Sequence, residues 1–147
     1  MTSVDDLLTT ARERLTRVTP EQAFAQVGDG ALLADIRPAA QRREHGEIPG
    51  SIIVERNHLE WRFDPSCSAR LPVVTGYQQT ILVFCQQGYT SSLAAASLQE
   101  LGLVNATDVI GGFEAWVAAG LPWAPGGSAE VLIAPGASAA VLLPGVF

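Results

Sequence analysis

Cys85 is the residue of this chain best placed for chemistry, because it ends an apolar run and precedes a polar loop in ILVFCQQGYTSS (residues 81–92). Unpaired amides at the start of a helix, together with the helix dipole, stabilise a thiolate, which is the nucleophilic form of cysteine. Gly88 gives the loop the backbone freedom to turn successive amides toward an anion. A cysteine that ends a strand can equally be an inert packing residue. The residues alone therefore leave both roles open.

Spacing around Cys85 argues against several familiar cysteine chemistries. A phosphatase loop needs an arginine six residues after the cysteine, where it clamps phosphoryl oxygens, and Ser91 occupies that position. Dithiol exchange needs a second thiol where Gly88 stands. The remaining cysteine, Cys67, and the two histidines have no zinc-ligand spacing. We therefore expect no metal and no cofactor.

The charge pattern limits which partners can bind. A formal net charge of −6 argues against nucleic acid and against an anionic membrane surface. All nine basic residues are arginine, and the last of them is Arg70. An anion near Cys85 must therefore be held by backbone amides, by hydroxyl groups, or by an arginine from the first half of the chain.

The composition and the N-terminal residues favour a soluble cytoplasmic protein. No apolar run approaches the length of a membrane span, and 48% of the residues are hydrophobic. The N-terminus MTSVDDLLTT carries acidic residues first and resembles no secretory signal. With two cysteines in a reducing compartment, free thiols are expected rather than a disulfide.

Short apolar runs alternate with amphipathic segments, which predicts an α/β fold with a mostly parallel sheet. Capping signals predict helix starts at Ser3 and Thr19. Strands are predicted within 31–37, 46–54, 80–84 and 106–112, and helices over 91–103 and 113–122, whereas 55–77 is expected to be irregular. Ligands of such sheets bind at the carboxyl ends of the strands, which is where Cys85 lies.

Four motifs in order resemble the rhodanese-like (sulfurtransferase) family, and they span Val18 to Pro122. They are LLADIRP, HGEIPGSIIV, ILVFCQQGYTSSLAAASLQELG and VIGGFEAWVAAGLP. The stretch ERNHLEWRFDP (residues 55–65) further resembles a single-domain bacterial subset of that family. This resemblance divides the chain into an N-terminal helix at 1–17, a rhodanese-like domain at 18–124 and an apolar tail at 125–147. The tail, with its near-repeat VLIAPG and VLLPG, is expected to form a hairpin or to be disordered.

The resemblance implies a five-stranded parallel sheet with helices on both faces, and transfer of sulfane sulfur. It makes Cys85 the nucleophile that carries sulfur as a persulfide between a small sulfane-sulfur donor and a thiol, cyanide-like or protein acceptor. It implies that Arg56 lies near the pocket. It gives substrate binding to the loop residues Gln86, Gln87, Gly88, Tyr89 and Thr90.

The loop departs from the pattern of many family members, which carry arginine or lysine inside it. In this chain the side chains of residues 86–90 are uncharged, so we expect the loop to bind a small dianion such as thiosulfate weakly. The alternative function is a non-catalytic rhodanese-like module that binds or regulates a protein partner. Retention of Cys85 favours the sulfurtransferase, because modules without activity often lose that residue.

Overall fold

The computed structural model describes residues 1–126 and has an α/β fold with one parallel sheet. The expected apolar tail lies outside the described residues from position 127 onward. The helices are α1 (Val4–Glu13), α2 (Pro20–Gly28), α3 (Ala39–His45), α4 (Leu59–Phe63), α5 (Thr90–Glu100) and α6 (Gly112–Ala118). The strands are β1 (Leu32–Asp35), β2 (Ile52–Ile53), β3 (Ile81–Phe84) and β4 (Ala106–Asp108).

The sheet of the described chain has four strands in the order β2-β1-β3-β4, so the expected five-stranded sheet is wrong. Val18 alone stands beside the outer edge of β4. Its amide donates to the Asp108 carbonyl at 3.1 Å, and its own carbonyl accepts from the Ile110 amide at 2.8 Å. Thr19 caps α2 immediately afterwards and Pro20 begins that helix, so the bridge cannot lengthen toward the C-terminus.

Two apolar clusters cover the two faces of the sheet, and β3 contributes alternately to both. Ile81, Val83 and Cys85 belong to the cluster formed with α4 and α5. Leu82 and Phe84 belong to the cluster formed with α2 and α6. Continuous burial of a strand is typical of a parallel sheet covered by helices on both sides. The period of two residues therefore directs the Cys85 side chain to the α5 side.

The helix starts expected at Ser3 and Thr19 are confirmed, since both residues form complete capping boxes. The segment expected to be irregular instead contains a 3₁₀ turn (Arg56–His58) followed by α4. That helix has only five residues, too few to show a periodic pattern, and it is stabilised by burial of Leu59 and Phe63. Across residues 1–126, no helix has the length and apolar character needed to cross a membrane.

Candidate active site

Cys85 immediately follows β3 at the carboxyl edge of the sheet, as expected, and five residues later α5 begins. Its thiol is free and its side chain is buried, with 6% of its surface exposed. The Gly88 amide donates to the Cys85 Sγ atom at 3.2 Å. One backbone N–H of the loop therefore already points at the sulfur.

The carbonyl groups of the loop are bound on its outer side. The Cys85 carbonyl accepts from the Phe113 amide at 2.8 Å, and the Gln86 carbonyl accepts from the Glu114 amide at 3.1 Å. The C=O and N–H groups of a trans peptide point in opposite directions. Binding of these two carbonyls to α6 therefore turns the next amides of the chain, those of Gln86 and Gln87, away from α6.

Close backbone contact with the start of α6 fixes this arrangement. Gly112 has φ +61°, and a Cβ atom there would collide with the Cys85 carbonyl oxygen. Gly88 has φ +86°, and a Cβ atom on it would lie 2.7 Å from the Gly111 nitrogen. Only glycine combines these conformations with the absence of a side chain.

Two arginines from the N-terminal segment reach the third bound carbonyl of the loop. Arg12 Nη2 donates to the Gly88 carbonyl at 2.8 Å, and Arg17 Nη2 donates to the same oxygen at 3.1 Å. Arg17 also pairs with the fully buried Asp108 carboxylate at 2.8 Å. Asp108 further accepts from the Ser91 and Ser92 hydroxyls at 2.7 and 2.8 Å. These hydroxyls are therefore directed at a carboxylate rather than at the sulfur.

Gln86 is held in the scaffold by its side chain, which is buried. Arg37 Nη1 donates to its Oε1 at 3.0 Å, and its own amide group lies 3.4 Å from the Glu114 carboxylate. Arg37 is itself paired with the buried Asp35 at 2.7 Å and lies over the Phe113 ring at 4.3 Å. Any contact of Gln86 with a substrate must therefore come from its peptide groups.

Gln87, Tyr89 and Thr90 form the exposed side of the loop. Tyr89 is 61% exposed, and the Arg12 guanidinium lies 5.8 Å from the centre of its ring. Thr90 is the first residue of α5, and that helix has no side-chain cap. The loop thus offers uncharged polar and aromatic groups to an incoming molecule.

Arg56 forms an ion pair with Glu60, four residues later in the chain. Its Nη1 atom lies 2.9 Å from both oxygens of the Glu60 carboxylate, which also accepts from the Ser97 hydroxyl at 2.6 Å. Burial raises the pKa of Glu60, but the hydrogen bond from Ser97 and the charge of Arg56 outweigh it and hold that pKa below its usual value of 4.5. The structure thus pairs Arg56 with Glu60 and not with residues 85–90 of the described chain.

Sequence reasoning did not identify Arg12, Arg17, Asp108 or Gly112 as parts of the site. The available signals were the Gly-Gly pair before the last helix and the absence of any cation after Arg70. The second signal meant that any arginine at the site had to come from the first half of the chain, without indicating which one. The contact of α1 with α5, which brings Arg12 to Ser92 and Gly88, has no counterpart in a local pattern.

Replacing Gly112 with alanine tests the backbone contact. We expect Gly112→Ala to lower the free energy of unfolding by about 3 kcal/mol, because the new Cβ is strained by the positive φ and meets the loop backbone. Gly28→Ala is the matched control, since that glycine ends α2 in open space and alanine favours helix. Urea unfolding measures both variants. Equal stability of the two would contradict the contact.

The lowered pKa of Glu60 predicts a pH-dependent contribution to stability. A carboxyl whose folded pKa lies below its unfolded value stabilises the fold above the unfolded pKa, and this stabilisation is lost as pH falls through the folded pKa. The stability difference between the wild type and Glu60→Gln should therefore be largest near neutral pH and shrink below about pH 4.5. Glu13→Gln, at an exposed position, gives the baseline for urea unfolding between pH 7 and pH 3. A difference that grows on acidification would refute this assignment.

A sequence model of the Rhodanese-like domain matches residues 19–119. The chain is 34% identical over 108 residues to the thiosulfate sulfurtransferase GlpE of Actinobacillus succinogenes, covering 73% of this chain and 88% of the relative. It is 35% identical over 100 residues to the protein of the same name from Pseudomonas entomophila, covering 68% and 83%.

Solved structures show the same fold. A Rhodopseudomonas palustris protein described as a possible tyrosine phosphatase has a TM-score of 0.76 and 29% identity, covering 84% of this chain and 95% of that one. The polysulfide-sulfur transferase of Wolinella succinogenes has a TM-score of 0.63 at 20% identity, covering 79% and 82%. Because the match at 19–119 includes the cysteine loop and most of the chain, the protein belongs to the rhodanese-like sulfurtransferase family.

Proposed function

We propose that Cys85 carries sulfane sulfur as a persulfide. Its thiolate attacks the outer sulfur of the donor, so that an S–S bond forms on Cys85 while the bond from that sulfur to the rest of the donor breaks. The leaving group keeps the bonding electron pair. A nucleophilic acceptor, such as a thiol, cyanide or a protein thiol, then takes the outer sulfur and Cys85 leaves as the thiolate.

The observation that carries this proposal is the Gly88 amide aimed at the Cys85 Sγ atom, with three loop carbonyls bound on the outside. Preorganised N–H donors stabilise negative charge on sulfur both before attack and in the persulfide. Such donors need no movement during the reaction. Family membership supports the same chemistry for this cysteine.

Phosphatase chemistry, suggested by the description of the Rhodopseudomonas palustris neighbour, finds no support in the loop. Ser91 stands where a phosphatase would place its arginine, and its hydroxyl donates to Asp108 at 2.7 Å. The non-catalytic alternative predicts that Cys85 takes up no sulfur. A sulfur-loading measurement therefore separates it from the transferase.

Intact mass after incubation with sulfane-sulfur donors tests the persulfide. We expect the wild type to gain one sulfur atom and Cys85→Ala to gain none, because the attacking atom is absent. Cys67→Ala is the matched control, since it removes the other free cysteine and should load like the wild type. The absence of loading by the wild type with thiosulfate, glutathione persulfide and polysulfide would contradict the proposal.

Whether the pocket binds an anionic donor well depends on whether Arg56 reaches that donor. The placement of Arg56 near the pocket remains a prediction. The names of the curated relatives point to thiosulfate, whereas the loop side chains of this chain carry no cation. The Glu60 carboxylate neutralises Arg56, so an anionic donor would have to compete with it.

Glu60→Gln removes that competition. If Arg56 anchors the donor, kcat/KM for thiosulfate should rise about threefold or more in Glu60→Gln and fall in Arg56→Gln. The kcat/KM for an uncharged thiol acceptor should be the same in these variants as in the wild type. Arg70→Gln serves as a control, because it removes an exposed arginine elsewhere. Unchanged kcat/KM in both variants would show that Arg56 has no part in donor binding.

A further inference from the structure

We propose that Arg12 and Arg17 are positioning residues that lock the Gly88–Tyr89 peptide, so that the Tyr89 N–H faces the sulfur on Cys85. The inference rests on the proposed role of Cys85 and identifies what orients a second amide of its loop. Neither arginine touches the sulfur or a reacting atom. Their effect is transmitted through one carbonyl group.

The geometry of the Gly88 carbonyl carries the inference. Two guanidinium groups donate to this one oxygen, at 2.8 Å from Arg12 and 3.1 Å from Arg17. Hydrogen bonds from charged donors are stronger than neutral ones. Because the peptide is trans, an oxygen held toward α1 directs the next N–H, that of Tyr89, to the opposite side.

Among residues 1–126 the two arginines are the donors to the Gly88 carbonyl, so without them no hydrogen bond holds the direction of that carbonyl. Gly88 has φ +86° and no side chain, so it has access to the conformations that a peptide flip requires. A flipped peptide would present a carbonyl oxygen, rather than an N–H, to a negatively charged sulfur. The arginines therefore stabilise the arrangement that binds the anion over the one that repels it.

Each arginine is held in turn by a second contact, which fixes its direction. Arg17 is bound to the buried Asp108 carboxylate at 2.8 Å. Arg12 Nε donates to the Ser92 hydroxyl at 3.0 Å. No carboxylate of residues 1–126 pairs with Arg12, so its positive charge next to the loop is uncompensated by an ion pair, in contrast to that of Arg17.

Both arginines precede residue 19, where the match to the family begins. The segment 1–18 therefore contributes to the site from outside the matched region. Its contact with the loop follows from the packing of α1 on α5, which also brings Arg14 to Glu100 at 3.1 Å. Arg14 does not contact the loop, so it provides an internal control.

Alkylation of Cys85 by neutral iodoacetamide as a function of pH tests the proposal without requiring sulfur transfer. Trypsin cleavage after Arg70 separates the two cysteines into different peptides, so that each rate constant is read by mass spectrometry and Cys67 serves as the internal reference. In Arg12→Gln we expect the Cys85 rate constant at pH 7 to fall about threefold or more, because fewer amides are held toward the sulfur. The Cys67 rate constant should not change.

Arg14→Gln is the matched control, because it removes the same charge from the end of the same helix without touching the loop. Its profile should coincide with that of the wild type. Arg12→Lys keeps a cation that can reach the Gly88 carbonyl and should restore at least half of the lost rate. Arg12 is preferred over Arg17 for this test, since removing Arg17 leaves a buried carboxylate unpaired and destabilises the fold.

Identical profiles for Arg12→Gln and Arg14→Gln would overturn the proposal. Equal losses in the Gln and Lys variants at position 12, with a lowered melting temperature in both, would show a packing role and also overturn it. Failure of the wild type to load sulfur, with the alkylation profile still responding to Arg12→Gln, would reject the persulfide function and leave the positioning role standing.

Discussion

Three backbone carbonyls of the cysteine loop are bound from outside, and the site depends on this constraint. The Cys85 and Gln86 carbonyls accept hydrogen bonds from two backbone amides near the start of α6. The Gly88 carbonyl accepts from the guanidinium groups of two arginines. A peptide that presents its oxygen outward presents its N–H inward. Partners on other elements therefore set the direction of the Gln86, Gln87 and Tyr89 amides, whereas the Gly88 amide, in the peptide between the bound carbonyls, donates to Cys85 Sγ itself.

The fold serves this constraint by bringing three distant segments to one edge of the sheet. Strand β3 delivers Cys85, the Gly111–Gly112 turn after β4 lets α6 approach the loop backbone, and α1 packs on α5 to place Arg12. The buried Asp108 at the end of β4 joins these parts, since it accepts from α5 hydroxyls and from Arg17. A buried carboxylate is tolerated there because it is paired with Arg17 and accepts hydrogen bonds from two hydroxyl groups.

Local signals in the sequence were sufficient to predict the parts of the fold that depend on neighbours along the chain. The capping boxes at Ser3 and Thr19, the buried strand before Cys85 and the parallel α/β class all rest on such signals. The expectation of a fifth strand was wrong, and one reason is that Thr19 and Pro20 start a helix directly after Val18. The contacts of Arg12 and Gly112 with the loop could not be predicted, since they depend on which helices pack together, at separations of more than twenty residues.

The central claim is that the amides of the loop, and not its side chains, hold the sulfur. Amide proton chemical shifts report this most directly, because an N–H that donates to an anion moves downfield. Comparison of ¹⁵N-labelled reduced and persulfide-loaded protein should show downfield shifts confined to the loop, largest for Gly88 and Tyr89, with the Arg12 and Arg17 contacts intact. Persulfide formation that leaves the Gly88 and Tyr89 amides unshifted would contradict the account.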